Sequence, residues 1–319
     1  MTYFLGVDGG GTKTLAAICD ADGRVLGSGL SGPSNIDDVG LEAATANIAQ
    51  AVRVARAVAN CDPQPFAGAF LGLAGVVSSR DRALVSGIAQ RLELAEQAGV
   101  DHDCRIALAG GLSGRSGAVL IVGTGSSCYG VNDAGDSWRS GGWGSLISDE
   151  GSGYFLGREG LIAAVRSIDG RGPTSSLAAA LLKRLGVMQP DDLLHRLYVT
   201  GLTRTEIAAL APITLDCAAD GDDAALEIVE RGSDLLVECV AAVAKQLRLE
   251  RFELVVVGGL YGESLLVQNM LQGTLLQHVS QCRIVSPELP PVLGACLLAL
   301  GDAASSAVIA QLKLEQRRI

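Results

Sequence analysis

The stretch FLGVDGGGTKT, residues 4–14, decides the fold of this chain. A short apolar run ends at Asp8, three glycines follow, and Thr12 and Lys13 come next. A loop of the G-x-x-x-x-G-K-[ST] type needs its lysine directly after the second glycine and a helix behind it. Counted from Gly6, Thr12 occupies the lysine position, and the continuation TLAAICD is typical of a strand. The stretch therefore predicts a glycine-rich turn between two β-strands.

Such a turn can still bind phosphate, because successive glycine N–H groups can face one anion without a side-chain clash. We predict that Gly10, Gly11 and Thr12 surround the phosphates, with Lys13 either beside them or in solvent. Asp8, at the strand end, is predicted to organise Mg²⁺ through water, since that ion keeps much of its hydration. The alternative is a tight turn that binds nothing.

A second stretch, GAVLIVGTGSSCYG at residues 117–130, repeats the arrangement. An apolar strand leads into a turn and a further strand follows. The turn residues are Gly123, Thr124, Gly125 and Ser126. One such hairpin is common, but one in each half of the chain indicates two walls that hold one polyphosphate.

Length and internal duplication predict two domains. The chain has 319 residues, which is long for one compact core. Both halves run strand, glycine turn, strand and later helix, a loose duplication with its boundary near the GRSG stretch at 114–117. We predict one lobe from residues 1–115 with 292–319, and the other from residues 116–291.

Composition excludes several classes of partner. A formal net charge of −10 argues against binding nucleic acid or an anionic membrane surface. No apolar run approaches the roughly 18–20 residues of a membrane span, and no signal-peptide pattern opens the chain, so a cytoplasmic location is expected. No two of the eight cysteines have a C-x-x-C spacing, which favours reduced core thiols over a zinc or redox site.

Four segments in chain order, LGVDGGGTKT, IVGTGSS, VVVGGLYG and LPPVLGACLLAL, resemble the sugar kinase/actin/heat-shock-chaperone ATPase superfamily. The resemblance covers nearly the whole chain. It implies an α/β fold of two ribonuclease H-like (actin-like ATPase) domains with a cleft between them, and ATP with Mg²⁺ as cofactors. It also implies that Gly258 and Gly259 lie against the adenosine and that Gly294 lies at a close helix crossing.

Two further stretches, GPSN at 32–35 and GGWGSLISDEGSGYFLG at 141–157, are similar to the N-acetylglucosamine kinases and their BadF/BadG/BcrA/BcrD relatives. This resemblance implies transfer of the γ-phosphoryl group of ATP to the 6-hydroxyl of N-acetylglucosamine or of glucosamine. It implies Asp103 as the general base, with Asp101 as the competing register. A homodimer is also expected.

The same stretches predict the sugar side of the site. Asn35 and Asp149 are predicted to bind ring hydroxyls, since amides and carboxylates pair with vicinal OH groups. The backbone of Gly141 and Gly142 would line the pocket. Trp143 would either cover the apolar face of the sugar or be a core aromatic. Asp149 has a second interpretation as the cap of the following helix.

Two other functions are left open. Relatives in this family activate a 2-hydroxyacyl-CoA dehydratase-type enzyme through an iron–sulfur cluster that cysteines hold at a dimer interface, but no cysteine pair here has a cluster-like context. A regulatory or structural ATPase would bind sugar or nucleotide without turnover. The presence of Asp103 and the lack of a basic DNA-binding module weaken that alternative.

Overall fold

A computed structural model describes residues 2–61 and 64–319 of the chain. Contacts divide it into two compact units, Met1–Val119 with Ser286–Ile319 (unit 1) and Leu120–Val285 (unit 2). Within the described residues, no helix combines the length and the apolar character that a membrane crossing requires.

The strands are β1 Tyr3–Gly9, β2 Thr14–Asp20, β3 Val25–Ser31, β4 Gly68–Leu73, β5 Ala98–His102, β6 Gly117–Val122, β7 Ser126–Val131, β8 Ser137–Gly141, β9 Phe252–Val257 and β10 Cys282–Val285. The helices are α1 Ile36–Ala59, α2 Ser79–Arg91, α3 Asp103–Gly111, α4 Gly153–Ile168, α5 Leu177–Leu185, α6 Asp192–Leu194, α7 Arg204–Ala208, α8 Ala211–Ala219, α9 Asp223–Leu247, α10 Gly259–Glu263, α11 Leu265–His278, α12 Pro291–Leu300 and α13 Ser306–Glu315. A π-helical turn, His195–Val199, follows α6, and 3-10 turns follow α12 and α13 at Gly301–Ala303 and Gln316–Arg318.

Unit 1 has a mixed sheet of strand order β3-β2-β1-β4-β5. β1 pairs antiparallel with β2 and parallel with β4, and β2 pairs antiparallel with β3. The predicted strand–turn–strand opening is confirmed. β2 and β3 are joined by a turn at Asp22 and Gly23, a residue pair that favours hairpin turns, and Gly23 has φ 82°. Helix α1 follows the GPSN stretch directly, and Gly40 (φ 78°, ψ 164°) interrupts it.

Both faces of this sheet are covered, which accounts for its near-continuous apolar strands. One core cluster includes Leu5, Ile18, Ile48, Leu71 and Leu73. A second gathers Phe4, Ala17 and Cys19 of β1 and β2 with side chains from the C-terminal helices; these are Val292, Leu293, Cys296, Leu297, Leu300, Val308 and Leu312.

The predicted close helix crossing at Gly294 is confirmed. A Cβ on Gly294 of α12 would overlap the backbone oxygen of Ile106 and the backbone nitrogen of Gly110, both in α3. Ala295 beside it is fully buried. The crossing fixes α3, whose first residue is Asp103, against α12.

Unit 2 has a sheet of strand order β10-β9-β6-β7-β8, with β9 and β10 parallel and β7 and β8 antiparallel. Residues 160–250 are mostly helical and form α4 to α9. Their apolar faces form one cluster that includes Leu156, Leu177, Leu181, Leu210 and Ile228. Two mixed five-stranded sheets with flanking helices make the chain an α/β protein, as predicted.

Candidate active site

The first glycine loop joins β1 to β2 in unit 1. The Gly10 N–H donates to the Lys13 carbonyl at 2.9 Å and closes the turn. The Gly10 carbonyl then accepts from the N–H groups of Ser34 and Asn35, at 3.0 and 3.2 Å. Within unit 1, the loop is therefore fastened to the GPSN segment, so the predicted phosphate and sugar residues of this unit are neighbours.

Buried hydroxyl groups complete that attachment. Thr14 Oγ1 donates to the Gly32 carbonyl at 2.7 Å, and it lies within hydrogen-bonding distance of Ser34 Oγ, at 2.8 Å. Both side chains are fully buried, and a Cβ on Gly9 would overlap Ser34 Oγ. Sequence reasoning quoted Ser34 within GPSN but did not identify its role, which depends on a contact twenty residues away.

Asn35 begins α1, and it is buried. Its Oδ1 accepts from the Asp37 N–H at 3.1 Å, and its Nδ2 donates to Asp38 Oδ2 at 2.8 Å. A Cβ on Gly11 would lie 3.1 Å from the same Asp38 oxygen. The sequence analysis missed Asp38, which connects the predicted sugar residue to the tip of the glycine loop.

Two carboxylates meet beside this loop. Asp8 ends β1, and Asp103 is the first residue of α3. Burial and then the charge of Asp103 raise the pKa of Asp8 to about 7, against the opposing charge of Lys13. Asp103 Oδ1 accepts from the Cys104 N–H at 2.9 Å. The structure therefore brings the predicted metal and base residues together with Lys13.

The competing register at Asp101 has a different environment. Asp101 Oδ1 accepts from Arg82 Nε and Nη2 at 3.0 and 2.8 Å, and Oδ2 accepts from Arg105 Nη1 at 3.2 Å. Burial acts to raise its pKa, but the charge of His102 and the hydrogen bonds from Arg82 outweigh burial and lower it. A carboxylate held in this way joins α2 to β5 and is a poor proton acceptor.

The second glycine loop joins β6 to β7 in unit 2. The Gly123 N–H donates to the Gly125 carbonyl at 2.9 Å. The Gly123 and Thr124 carbonyls accept from the N–H groups of Gly153 and Tyr154, at 2.8 and 3.1 Å. The start of α4 therefore fixes the shape of this loop.

The segment predicted to contact adenosine lies beside this loop. Gly258 has φ 115°, and a Cβ there would overlap the Val122 carbonyl oxygen and lie 3.0 Å from the Gly123 nitrogen. A Cβ on Gly123 would lie 3.9 Å from the Gly259 nitrogen. Only glycine fits at Gly258, and the predicted phosphate and adenosine residues of unit 2 form one continuous backbone surface.

Asp149 is also part of this loop's support. It is buried and has φ 64°, an uncommon backbone conformation for a non-glycine residue. Its Oδ1 accepts from the Ser126 N–H at 3.2 Å, and its Oδ2 accepts from Arg204 Nη2 at 2.8 Å. The interpretation of Asp149 as a helix cap is wrong, because Ser152 Oγ caps α4 by accepting from the Phe155 N–H at 3.2 Å.

The predicted sugar-lining stretch follows β8. Gly141 and Gly142 have φ of 73° and 69°. Trp143 is 65% exposed, so the interpretation of this residue as a core aromatic is wrong. The Arg139 guanidinium lies 5.0 Å from the Trp143 ring centroid, and its Nη1 donates to the Gly142 carbonyl at 2.8 Å. The exposed indole therefore packs against a cation.

The cysteines of the chain are free thiols. Among the described residues, the grouping of His, Cys, Asp and Glu that could hold a metal consists of His102, Asp103 and Cys104, and it contains a single cysteine.

Comparisons with known proteins identify the family of the chain. The family model described as BadF/BadG/BcrA/BcrD ATPase family matches residues 5–299. The chain is 31% identical to the N-acetylmuramic acid/N-acetylglucosamine kinase of Clostridium acetobutylicum over 95% of its length and 99% of the relative. It is 32% identical to the N-acetyl-D-glucosamine kinase of Dictyostelium discoideum over 94% of its length and 98% of the relative.

Solved structures give the same family of folds. The crystal structure of a Chromobacterium violaceum protein assigned as an N-acetylglucosamine kinase is 25% identical, with a TM-score of 0.77 over 94% of this chain and 99% of that one. A ROK family glucokinase from Streptomyces griseus is 18% identical, with a TM-score of 0.57 over 93% of this chain and 98% of that one, and it supports the fold alone. Since the family model spans nearly the whole sequence, the chain belongs to the BadF/BadG/BcrA/BcrD ATPase family.

Proposed function

We propose that this sugar kinase of the ATPase family transfers the γ-phosphoryl group of ATP to the 6-hydroxyl of an amino sugar, N-acetylglucosamine or glucosamine. The observation that carries the proposal is the position of Asp103, at the start of α3 and electrostatically coupled to Asp8 beside the first glycine loop. The kinase names of relatives that match the chain end to end support it.

In the proposed reaction, Asp103 accepts the proton of the attacking hydroxyl, and the freed oxygen attacks the γ-phosphorus in line while ADP leaves. Phosphoryl transfer needs placement and charge stabilisation more than covalent help from the protein. Gly11 and Thr12 would supply N–H groups to the phosphates, Gly10 would let the backbone approach them closely, and Lys13 would supply a positive charge. Asp101 is unsuited to this role because two arginines already engage its oxygens.

In unit 2, the proposed nucleotide residues are Gly123, Thr124, Gly125, Ser126, Gly258 and Gly259. Their adjacency within that unit supports the assignment, since the loop and the Gly258 backbone form one surface. The proposal requires that this surface and the first glycine loop bind the same nucleotide.

Mg²⁺ is the proposed metal, and Asp8 is the residue that would hold it. The site fits such an ion, because the charge of Asp103 helps to raise the pKa of Asp8, and a divalent cation relieves that repulsion. When bound, the ion would neutralise charge on the phosphate oxygens. The chain's own part is to keep Asp8 and Asp103 in place at the ends of β1 and β5.

The proposed sugar residues are Asn35, Gly141, Gly142, Trp143 and Asp149. The exposed indole of Trp143 suits the apolar face of a pyranose ring. Asn35 and Asp149 already make protein hydrogen bonds, so each would contact a sugar hydroxyl through its remaining donor or acceptor capacity. Asp149 would thus combine sugar binding with support of the second loop.

The test is an ATP-consumption assay over glucosamine, N-acetylglucosamine, N-acetylmannosamine, N-acetylmuramic acid and glucose, with and without Mg²⁺. We expect Mg²⁺-dependent turnover that is fastest with N-acetylglucosamine or glucosamine, and product analysis should find the phosphate at position 6. Turnover with glucose alone, or phosphate on the anomeric oxygen, would contradict the proposal. ATP binding without turnover on any sugar would instead favour the regulatory alternative.

We further propose that the kinase works in the cytoplasm as a homodimer. Free thiols are typical of that compartment. Leu194, Tyr198 and Val199 are 66%, 80% and 71% exposed, and the π-helical turn brings residues four and five apart onto one face. Exposed Lys183, Arg184, Asp191 and Asp192 flank them in sequence, a charge pattern that a second copy can complement. Sedimentation should give a dimer for the native chain and a monomer for Tyr198→Glu.

A further inference from the structure

A negative side chain stands at the second glycine loop, which is a difficulty for a phosphate site. Asp149 is buried, and its Oδ1 lies 3.2 Å from the Ser126 nitrogen and 2.7 Å from where a Cβ on Gly125 would be. A buried carboxylate so close to loop N–H groups repels an approaching phosphate, because charges inside a protein are weakly screened.

Arg204 faces the same point from α7. Its Nη2 lies 2.8 Å from Asp149 Oδ2, and a Cβ on Gly125 would overlap that nitrogen. A capping box at Thr203 and Glu206 fixes the start of α7, with the Glu206 N–H donating to Thr203 Oγ1 at 3.2 Å. The guanidinium is therefore held against the loop by a rigid element.

Arg204 also has unused hydrogen-bonding capacity. In the described parts of the chain, its Nε is a buried atom with no hydrogen-bond partner. A buried guanidinium donor without a partner is costly, and native proteins seldom keep one that has no use. Its place beside Gly125 and Asp149 gives it one, as a positive centre for a ligand anion at this loop.

We propose that Arg204 is a positioning residue for nucleotide phosphate: it neutralises Asp149, so that the Gly123–Ser126 loop can take an anion while Asp149 keeps the Ser126 N–H oriented. This inference rests on the proposed nucleotide-binding function. It predicts that removing the arginine charge weakens binding of phosphate-bearing ligands and spares binding of adenosine. It also predicts that removing the Asp149 charge as well restores much of the loss.

The experiment is calorimetric titration of the full chain with Mg²⁺ and a non-hydrolysable ATP analogue, and separately with adenosine. Arg204→Met should weaken binding of the analogue by about 10- to 100-fold and keep the affinity for adenosine within about twofold of the native value. The double variant Asp149→Asn/Arg204→Met should recover about tenfold of the analogue affinity, since asparagine still accepts from the Ser126 N–H. Arg171→Met, which removes an exposed arginine paired with Asp169, is the matched control and should change neither affinity.

Equal losses of affinity for the analogue and for adenosine would mean that Arg204 only supports the fold. An unchanged affinity for the analogue in Arg204→Met, or a double variant that recovers no affinity, would overturn the proposal. If Arg204→Met does not fold, Asp149→Asn alone is decisive. It leaves the charge of Arg204 uncompensated, so the analogue should bind more tightly, and weaker binding would contradict the proposal. A native chain that binds no nucleotide refutes the proposed function itself. Normal turnover by the native chain, together with an unchanged affinity of Arg204→Met for the analogue, refutes this inference alone.

Discussion

Asp8 at the end of β1 and Asp103 at the start of α3 are electrostatic neighbours, and after burial the Asp103 charge contributes most to raising the pKa of Asp8 to about 7. Two carboxylates from separate elements, both of unit 1, thus share one region. A stability profile against pH and the turnover of single variants can test this pairing.

Asp8→Asn should change how stability depends on pH. Because folding raises the pKa of Asp8 from 3.8 to about 7, the folded protein binds the extra proton between these values and loses stability as pH rises through them. The variant lacks that loss. Without Mg²⁺, its free energy of unfolding relative to that of the native chain should therefore rise by about 1–2 kcal/mol from pH 4 to pH 8, a figure discounted for partial exposure. Urea unfolding at both pH values measures this gain. A constant difference would contradict the raised pKa of Asp8.

Asp103→Asn should separate binding from chemistry. The amide keeps the size of the side chain and an acceptor for the Cys104 N–H, but it cannot take a proton. We expect kcat to fall by at least about 10²-fold, with nucleotide and sugar affinities nearly unchanged. Asp22→Asn, in the exposed β2–β3 turn, is the matched control and should leave kcat as it is. Native turnover by Asp103→Asn would remove it as the base.

Glu288 gives a stability effect of opposite sign. Its pKa is lowered from 4.5 to about 2, first by a hydrogen bond from Arg115 and then by hydrogen bonds from Lys313 and Ser113. Burial acts in the opposite direction and is outweighed. Its stabilising effect is therefore present above pH 4.5 and is lost as pH falls towards 2.

Glu288→Gln should lower the free energy of unfolding by about 1 kcal/mol at pH 7, a modest value because the partner side chains are half exposed. The difference should vanish near pH 2. Glu42→Gln, at an exposed position of α1, serves as the control. A penalty for Glu288→Gln that persists unchanged at pH 2 would show that packing rather than charge is responsible.

Gly294→Ala and Gly273→Ala test close packing with one chemical change in two helices. A Cβ on Gly294 would overlap the α3 backbone, so we expect a loss of about 1–3 kcal/mol or more. A Cβ on Gly273 in α11 meets nothing within 4 Å, and the better helix propensity of alanine should add up to about 1 kcal/mol there. Thermal unfolding of both variants measures the contrast. Similar shifts would refute the close crossing.

Sequence patterns predicted the elements whose signals are local. The two glycine hairpins, the turn at Gly23 and the crossing at Gly294 follow from residue types that admit few backbone conformations. The short strands β5, β8 and β10 were not predicted, because strands of five, five and four residues carry little alternation and depend on pairing with distant strands.

Candidate site residues likewise divide into those with a local sequence signal and those recognised only from distant contacts. Asp8, Asp103 and the glycines lie in recognisable motifs, and the structure brings Asp8 and Asp103 together in unit 1 and Gly123 and Gly258 together in unit 2. Arg204 was missed because it lies 55 residues from Asp149 in a segment that reads as an ordinary helix start. Such a partner can be found from contacts but not from spacing.

Unit 1 is discontinuous in sequence, and that has a consequence during synthesis. Phe4, Ala17 and Cys19 share a cluster with α12 and α13, which are translated only after the whole of unit 2. Unit 2, drawn from one uninterrupted segment, has all its strands translated earlier. One face of the first sheet therefore stays uncovered in the nascent chain until α12 and α13 have been translated, and this face is where a chaperone would bind.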